Sequence, residues 1–108
     1  MARLVVSADE LGEGPGFSYL WEGKPFTGVA VDLREDGSVE SLAEIADGKH
    51  HGYEVDFDTK GRPRYVAQYH YHRVHGLLGE WDELGRLLSA ERFEEDFLTQ
   101  ELEIDPET

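Results

Sequence analysis

The sequence predicts an all-β protein, a single curved antiparallel β-meander built from about three 24-residue hairpin repeats. Three observations carry that prediction. Gly28, Gly52 and Gly76 stand 24 residues apart, and Gly37, Gly61 and Gly85 repeat the same spacing in register with them. Other columns of the frame match as well: Trp21, Ile45, Tyr69 and Phe93 are apolar, as are Leu33, Phe57 and Trp81 and also Val29, Tyr53 and Leu77, while Asp32, Asp56 and Glu80 are acidic. After the first glycine of each unit the pattern has period two, with Val29, Val31 and Leu33 alternating with Ala30, Asp32 and Arg34, and Tyr53, Val55 and Phe57 with Glu54, Asp56 and Asp58. Period two with one polar side describes a strand whose two faces differ.

The elements follow in chain order. Residues 1–20 hold the short apolar segment Leu4 to Val6 and then the flexible Gly12, Gly14, Pro15, Gly16 stretch, which is expected to cap the first sheet edge. Repeats are placed at 21–44, 45–68 and 69–92. Each is a hairpin whose turn needs a positive φ, supplied by Asp36-Gly37 and by Lys60-Gly61. Return strands are expected from Val39 to Ile45, Tyr65 to Tyr71 and Leu87 to Phe93, and Asp47-Gly48 marks a second kind of turn between units. Three hairpins in series can share one apolar face where a lone hairpin is marginal. The segment 93–108 carries seven acids and no base, and a short helix is expected over Glu94 to Glu103.

Length and charge bound the function. A chain of 108 residues with 39% hydrophobic content fits one small domain, 1–108. Acids outnumber bases by 24 to 10, for a formal charge of -14, so nucleic-acid backbones and anionic lipid surfaces are repelled. The absence of cysteine removes disulfides, thiolate zinc sites and cysteine nucleophiles. No export signal and no run near the roughly 18 apolar residues of a membrane span is visible, so a cytoplasmic location is expected.

The segment Trp21 to Phe26 with Thr27-Gly28 (WEGKPFTG), then Asp36-Gly37, Asp47-Gly48-Lys49 with His51-Gly52, and His75-Gly76 followed by Glu80-Trp81-Asp82 and Gly85, resembles the MORN-repeat variant. The likeness covers residues 19–93. Bacterial members of that group include antitoxins and immunity proteins of toxin systems, so the resemblance implies a protein that binds and neutralises a cognate toxin by occlusion. The third unit departs from the pattern, because His72-Arg73 stands where a Gly-Lys turn is expected.

Other constellations have plainer readings. No glycine loop is followed by Lys-Ser or Lys-Thr, so the glycines are turn residues rather than phosphate cradles. All five histidines lie between His50 and His75, and His70 and His72, two apart in an expected strand, share a face as two metal ligands would. No third ligand is fixed, so a polar outer row is favoured and no metal or other cofactor is expected. Solvated carboxylates give no pair with divergent pKa values, and no serine sits in a nucleophile elbow, so catalysis is not expected. The columns Trp21, Tyr69, Phe93 and Phe57, Trp81 read as core, on the inner side with Tyr65, Tyr69 and Tyr71.

The acids are the most informative group. Asp32, Glu54, Asp56, Asp58, Glu80 and Asp82 all fall on the polar side of successive first strands, so hairpin pairing gathers them into a patch, with Arg34 the one base in the set. A field of one sign steers association with a basic partner. Two functions follow, an immunity protein that covers a basic toxin, a nuclease among the candidates, and alternatively a structural adaptor that joins other proteins through its sheet.

Overall fold

A computed structural model describes residues 4–102 and shows an all-β fold. Eleven strands run in chain order: β1 (Val5–Ser7), β2 (Gly12–Glu13), β3 (Tyr19–Trp21), β4 (Lys24–Pro25), β5 (Gly28–Leu33), β6 (Val39–Ala46), β7 (Lys49–Phe57), β8 (Pro63–His70), β9 (Arg73–Trp81), β10 (Leu87–Glu94) and β11 (Phe97–Glu101). The main sheet has the order β1-β5-β6-β7-β8-β9-β10-β11, and β2-β3-β4 form a small second sheet. From β5 onward every pairing is antiparallel between chain neighbours. The expectation of a wholly antiparallel sheet is corrected at one edge, where β1 pairs with β5 in parallel. The long excursion through 8–27 gives the chain room to return in the same direction.

Within each hairpin the turn repeats. The amide of Gly37 donates to Arg34 O at 2.9 Å, that of Gly61 to Asp58 O at 3.0 Å and that of Gly85 to Asp82 O at 3.0 Å. The three glycines have φ of 87, 80 and 82°, the left-handed region in which a Cβ is unwelcome.

Between units a second turn repeats, and it corrects two expectations. Asp47-Gly48, Tyr71-His72 and Glu95-Asp96 all have both residues at positive φ, as a two-residue hairpin connection requires. The third unit therefore keeps the turn geometry without glycine. Histidine and aspartate tolerate it here because their side chains are put to use: His72 Nδ1 accepts from the His50 amide at 3.2 Å, and Asp96 Oδ1 from the Val74 amide at 2.8 Å. Gly48, His72 and Asp96 in turn donate their own amides to Phe26 O, His50 O and Val74 O, each at 2.8 Å, so each turn is bonded to the preceding unit. The expected helix over Glu94 to Glu103 is absent across its described part. Glu95-Asp96 occupy the phase of 47-48 and 71-72, and the chain continues as β11 along β10. Backbone groups of β10 find partners in a further strand, which a helix could not supply. Residue 103 lies outside the described residues.

The other glycine column has a different cause. Gly28 opens β5, but Gly52 and Gly76 lie inside β7 and β9 rather than at their starts. A Cβ at these three positions would fall on Leu4 O, Glu44 Oε2 and Gln68 Oε1 respectively. Those oxygens accept the next amide in line, from Val29 at 2.8 Å, Tyr53 at 2.9 Å and Leu77 at 2.7 Å. The column is glycine because an acceptor sits where the side chain would go.

The packed core lies at one end. Val6, Phe26, Ala30 and Ile45 are buried together, with Ala8, Leu11, Tyr19 and Trp21 packed against them. The N-terminal segment thus adds β1 to the sheet edge and also lies over the Ala30 face of the first hairpin. Farther along, Ala67 is the one other apolar residue buried among the described residues.

Candidate interaction face

Residues directly opposite each other in a ladder share a face. The registers place Asp32, Ser41, Asp56, Tyr65, Glu80 and Ser89 in one row across six strands. A second row on the same face runs Ala30, Ala43, Glu54, Ala67, Leu78 and Glu91. Four of the six expected acids, Asp32, Glu54, Asp56 and Glu80, are therefore brought together. In the first row a hydroxyl residue on each return strand separates the acids, which leaves them about two strand spacings, or about 10 Å, apart. That spacing weakens the repulsion that adjacent acids would have.

Asp58 and Asp82 are placed elsewhere, which corrects the expected row of six. Both sit in hairpin turns. Asp58 Oδ1 accepts from the amides of Lys60 and Arg62, each at 2.9 Å, and Oδ2 accepts from Arg62 Nε at 2.9 Å. Asp82 repeats this with Leu84, Arg86 and Arg86 Nε. The carboxylates are only 13% and 19% exposed. Amide bonds and the adjacent arginine hold both well below the usual carboxylate range, the backbone bond to Arg62 or Arg86 being the largest cause. Their charges are used inside the turn. The signal was available in the sequence, since Asp-x-x-Gly-Arg occurs at 58–62 and again at 82–86.

The expected division of faces is corrected too. Tyr65 stands opposite both Asp56 and Glu80, so the tyrosines share the acidic face. Val31, Leu42, Val55, Val66 and Gly79 form the opposite face, and the Trp81 ring lies over Gly79. The aromatic columns thus divide between two sides instead of sharing one core. On the aliphatic side a hollow of about 330 Å³ is lined by Val39, Leu42 and Phe57 among others.

Tyr69, Tyr65 and Tyr19 were not expected at the acidic site and are part of it. The Tyr69 hydroxyl donates a hydrogen bond to Glu54, and burial followed by the Glu54 charge pushes its pKa up. Tyr19 is pushed up by burial and then by Glu54 and Glu13, and Tyr65 chiefly by burial. Glu54 itself is raised by burial and then by Asp56, which outweigh the Tyr69 bond, and Asp56 is raised by burial and then by Glu40 and Asp32. Glu40 was not expected to join this group. It is the extra residue of a bulge between β5 and β6, which period-two counting misses. Asp32 accepts from Ser41 Oγ at 3.1 Å. Among the described residues none of Asp32, Glu54, Asp56 and Glu80 forms an ion pair.

The histidines divide into two groups, and the expected shared face of His70 and His72 is corrected. His72 lies in the turn and packs on His50, with ring centroids 5.6 Å apart, and on Tyr19. His70 bonds Glu95 at 2.9 Å and lies beside His75 and His51. His50 is held low by burial and by His72. No group of three or more metal-ligating side chains gathers among the described residues.

Comparison with protein-family models, curated proteins and solved structures found no match. Among the described residues no helix is long and apolar enough to cross a membrane.

Proposed function

We propose that the protein is a cytoplasmic immunity protein or antitoxin, not an enzyme, that neutralises a basic toxin by covering its active surface. The observation that carries this reading is the row of Asp32, Asp56 and Glu80 with Glu54 beside it, four carboxylates that form no ion pair among the described residues, on a face flanked by tyrosines. Carboxylates of one sign gathered on one face become favourable contacts when a basic surface docks. Tyrosines next to them supply large contact area at small entropic cost. The resemblance to toxin-system MORN variants supports the class of partner, and the charge of -14 argues against nucleic acid or an anionic membrane as an alternative one.

A second reading, a structural adaptor, is favoured by the aliphatic face. Leu33, Val39 and Leu87 are exposed, which suits a protein partner of apolar character.

Association kinetics separate the two. Charge reversal of Asp32, Asp56 and Glu80 together should slow association with the toxin about tenfold or more at low salt, and the difference should shrink at high salt. The effect belongs to the on-rate because long-range attraction accelerates encounter. Equal on-rates at low salt would transfer the contact to the aliphatic face.

A further inference from the structure

Between the N-terminal cap and the acidic face lies a cleft of about 150 Å³. Its floor is the Ala30 and Ala43 pair, directly opposite each other on β5 and β6. Leu11 and Tyr19 from the cap form one wall, and Asp32 and Glu54 line it from the sheet. The hollow exists because two alanines meet under an overhanging cap. In the same row the later strands put the larger Leu78 and Glu91 opposite each other.

We infer that this cleft receives a single arginine side chain of the basic partner, an inference that rests on the docking reading above. The volume is that of one side chain and not of a peptide. The alanine and leucine surfaces suit the methylene stem, while the two carboxylates suit its charged end; no lysine or arginine among the described residues lines the cleft, and the histidine that does, His50, is held low by burial and by His72. The choice of arginine over lysine follows from shape. A planar guanidinium spreads five donors over two acids and stacks on the Tyr19 ring, whereas an ammonium is a strongly hydrated point charge. Glu54 is half-buried and bonded to Tyr69, so it is held in place before any partner arrives.

The probe is Nα-acetyl-arginine methylamide, titrated into the full chain while the amide signals of Ala30 and Ala43 are followed by NMR. Saturable shifts at about millimolar concentration are expected, with the lysine analogue about fivefold weaker. Glu54→Gln, which preserves shape, and Ala43→Leu, which fills the floor but keeps every charge, should each weaken binding about tenfold. Glu80→Gln, on the same face but outside the cleft, should change it less than about twofold. Equal weakening by Glu54→Gln and Glu80→Gln overturns the inference, because binding is then diffuse. So does tighter binding of spermine at the same amides, because the ligand is then a free polyamine. A hexa-arginine peptide separates the two levels of the argument. If it binds wild type and Ala43→Leu equally, the cleft is wrong and the acidic face stands; if neither it nor the capped arginine binds, both fail.

Discussion

Under the N-terminal cap the sheet has a core, and beyond it the same repeat has almost none. Ala30 and Ile45, in the first hairpin, are buried with Val6 and Phe26, whereas Tyr69 and Phe93, at the 24-residue equivalents of Ile45, remain partly open. Both regions have the same turns, glycine columns and bulges. The comparison teaches that the repeat specifies backbone and that burial comes from the segment that does not repeat. The row of acids runs through both regions, with Asp32 and Glu54 beside the cap and Asp56 and Glu80 farther along the sheet.

The strongest way to break that comparison is to delete equivalent bulk from the two ends. Phe26 is 2% exposed and Phe97 is 74% exposed. Phe26→Ala should cost about 3–5 kcal/mol, and Phe97→Ala should stay within about 0.5 kcal/mol, both read from urea unfolding midpoints. Similar losses would mean that β11 is packed as firmly as the cap, and the division into closed and open halves would fall.

A smaller effect tests what the two halves share. Gly76→Ala should cost about 2–3 kcal/mol, since φ is 108° and the new methyl meets Gln68 Oε1. Gln68→Ala alone should cost about 1 kcal/mol for its hydrogen bond to the Leu77 amide. In the double variant the clash is gone, so the sum of the two losses should not be reached. Gly28→Ala allows no such relief, because the obstruction there is the backbone oxygen of Leu4. Strict additivity at Gly76 would show that backbone strain alone selects glycine.

The frame was legible because a turn glycine at positive φ leaves a mark at a fixed period, and the three hairpins, with Gly37, Gly61 and Gly85 in their turns, follow from it. What the sequence concealed has specific causes. The acceptors Glu44 and Gln68 share a column but not a residue type, so the reason for Gly52 and Gly76 was hidden. Bulges between β5 and β6, β7 and β8, and β9 and β10 add a residue to each return strand, which defeats simple alternation. Tyr71-His72 and Glu95-Asp96 form glycine-type turns without glycine, so nothing in the sequence past Phe93 marks the turn into β11. Half of the site was within reach: alternation found Asp32, Glu54, Asp56 and Glu80. It could not separate them from Asp58 and Asp82, whose burial in turns depends on amides three-dimensionally placed by Gly61 and Gly85.

The smallest expected effect sharpens that last distinction, because the two sets of acids should respond to pH with opposite sign. Asp58 and Asp82 have folded-state pKa values below their ordinary 3.8, so their contribution to stability is present above pH 3.8 and is lost as the pH falls through the lower folded values. Glu54 and Asp56 are raised above 4.5 and 3.8 respectively, so the fold prefers them protonated. Their contribution is present at acid pH and disappears as the pH rises through the raised values. At pH 7 the Glu54→Gln, Asp56→Asn double variant should therefore be more stable than wild type, by roughly a few tenths of a kcal/mol, since both sites are partly solvated. Asp58→Ala and Asp82→Ala should be less stable. On acidification the first difference should begin to close as the pH falls through the raised values and be gone below 3.8, whereas the second should close only below 3.8. His50, held low by burial, itself destabilises the fold as the pH falls below 6.5, so the differences between variants and wild type, not the wild-type curve, carry the test. Urea midpoints at pH 7, 5 and 3 are sufficient. Differences of the same sign for both sets would mean that the open face stabilises its own charges, and the reason to expect a basic partner there would be lost.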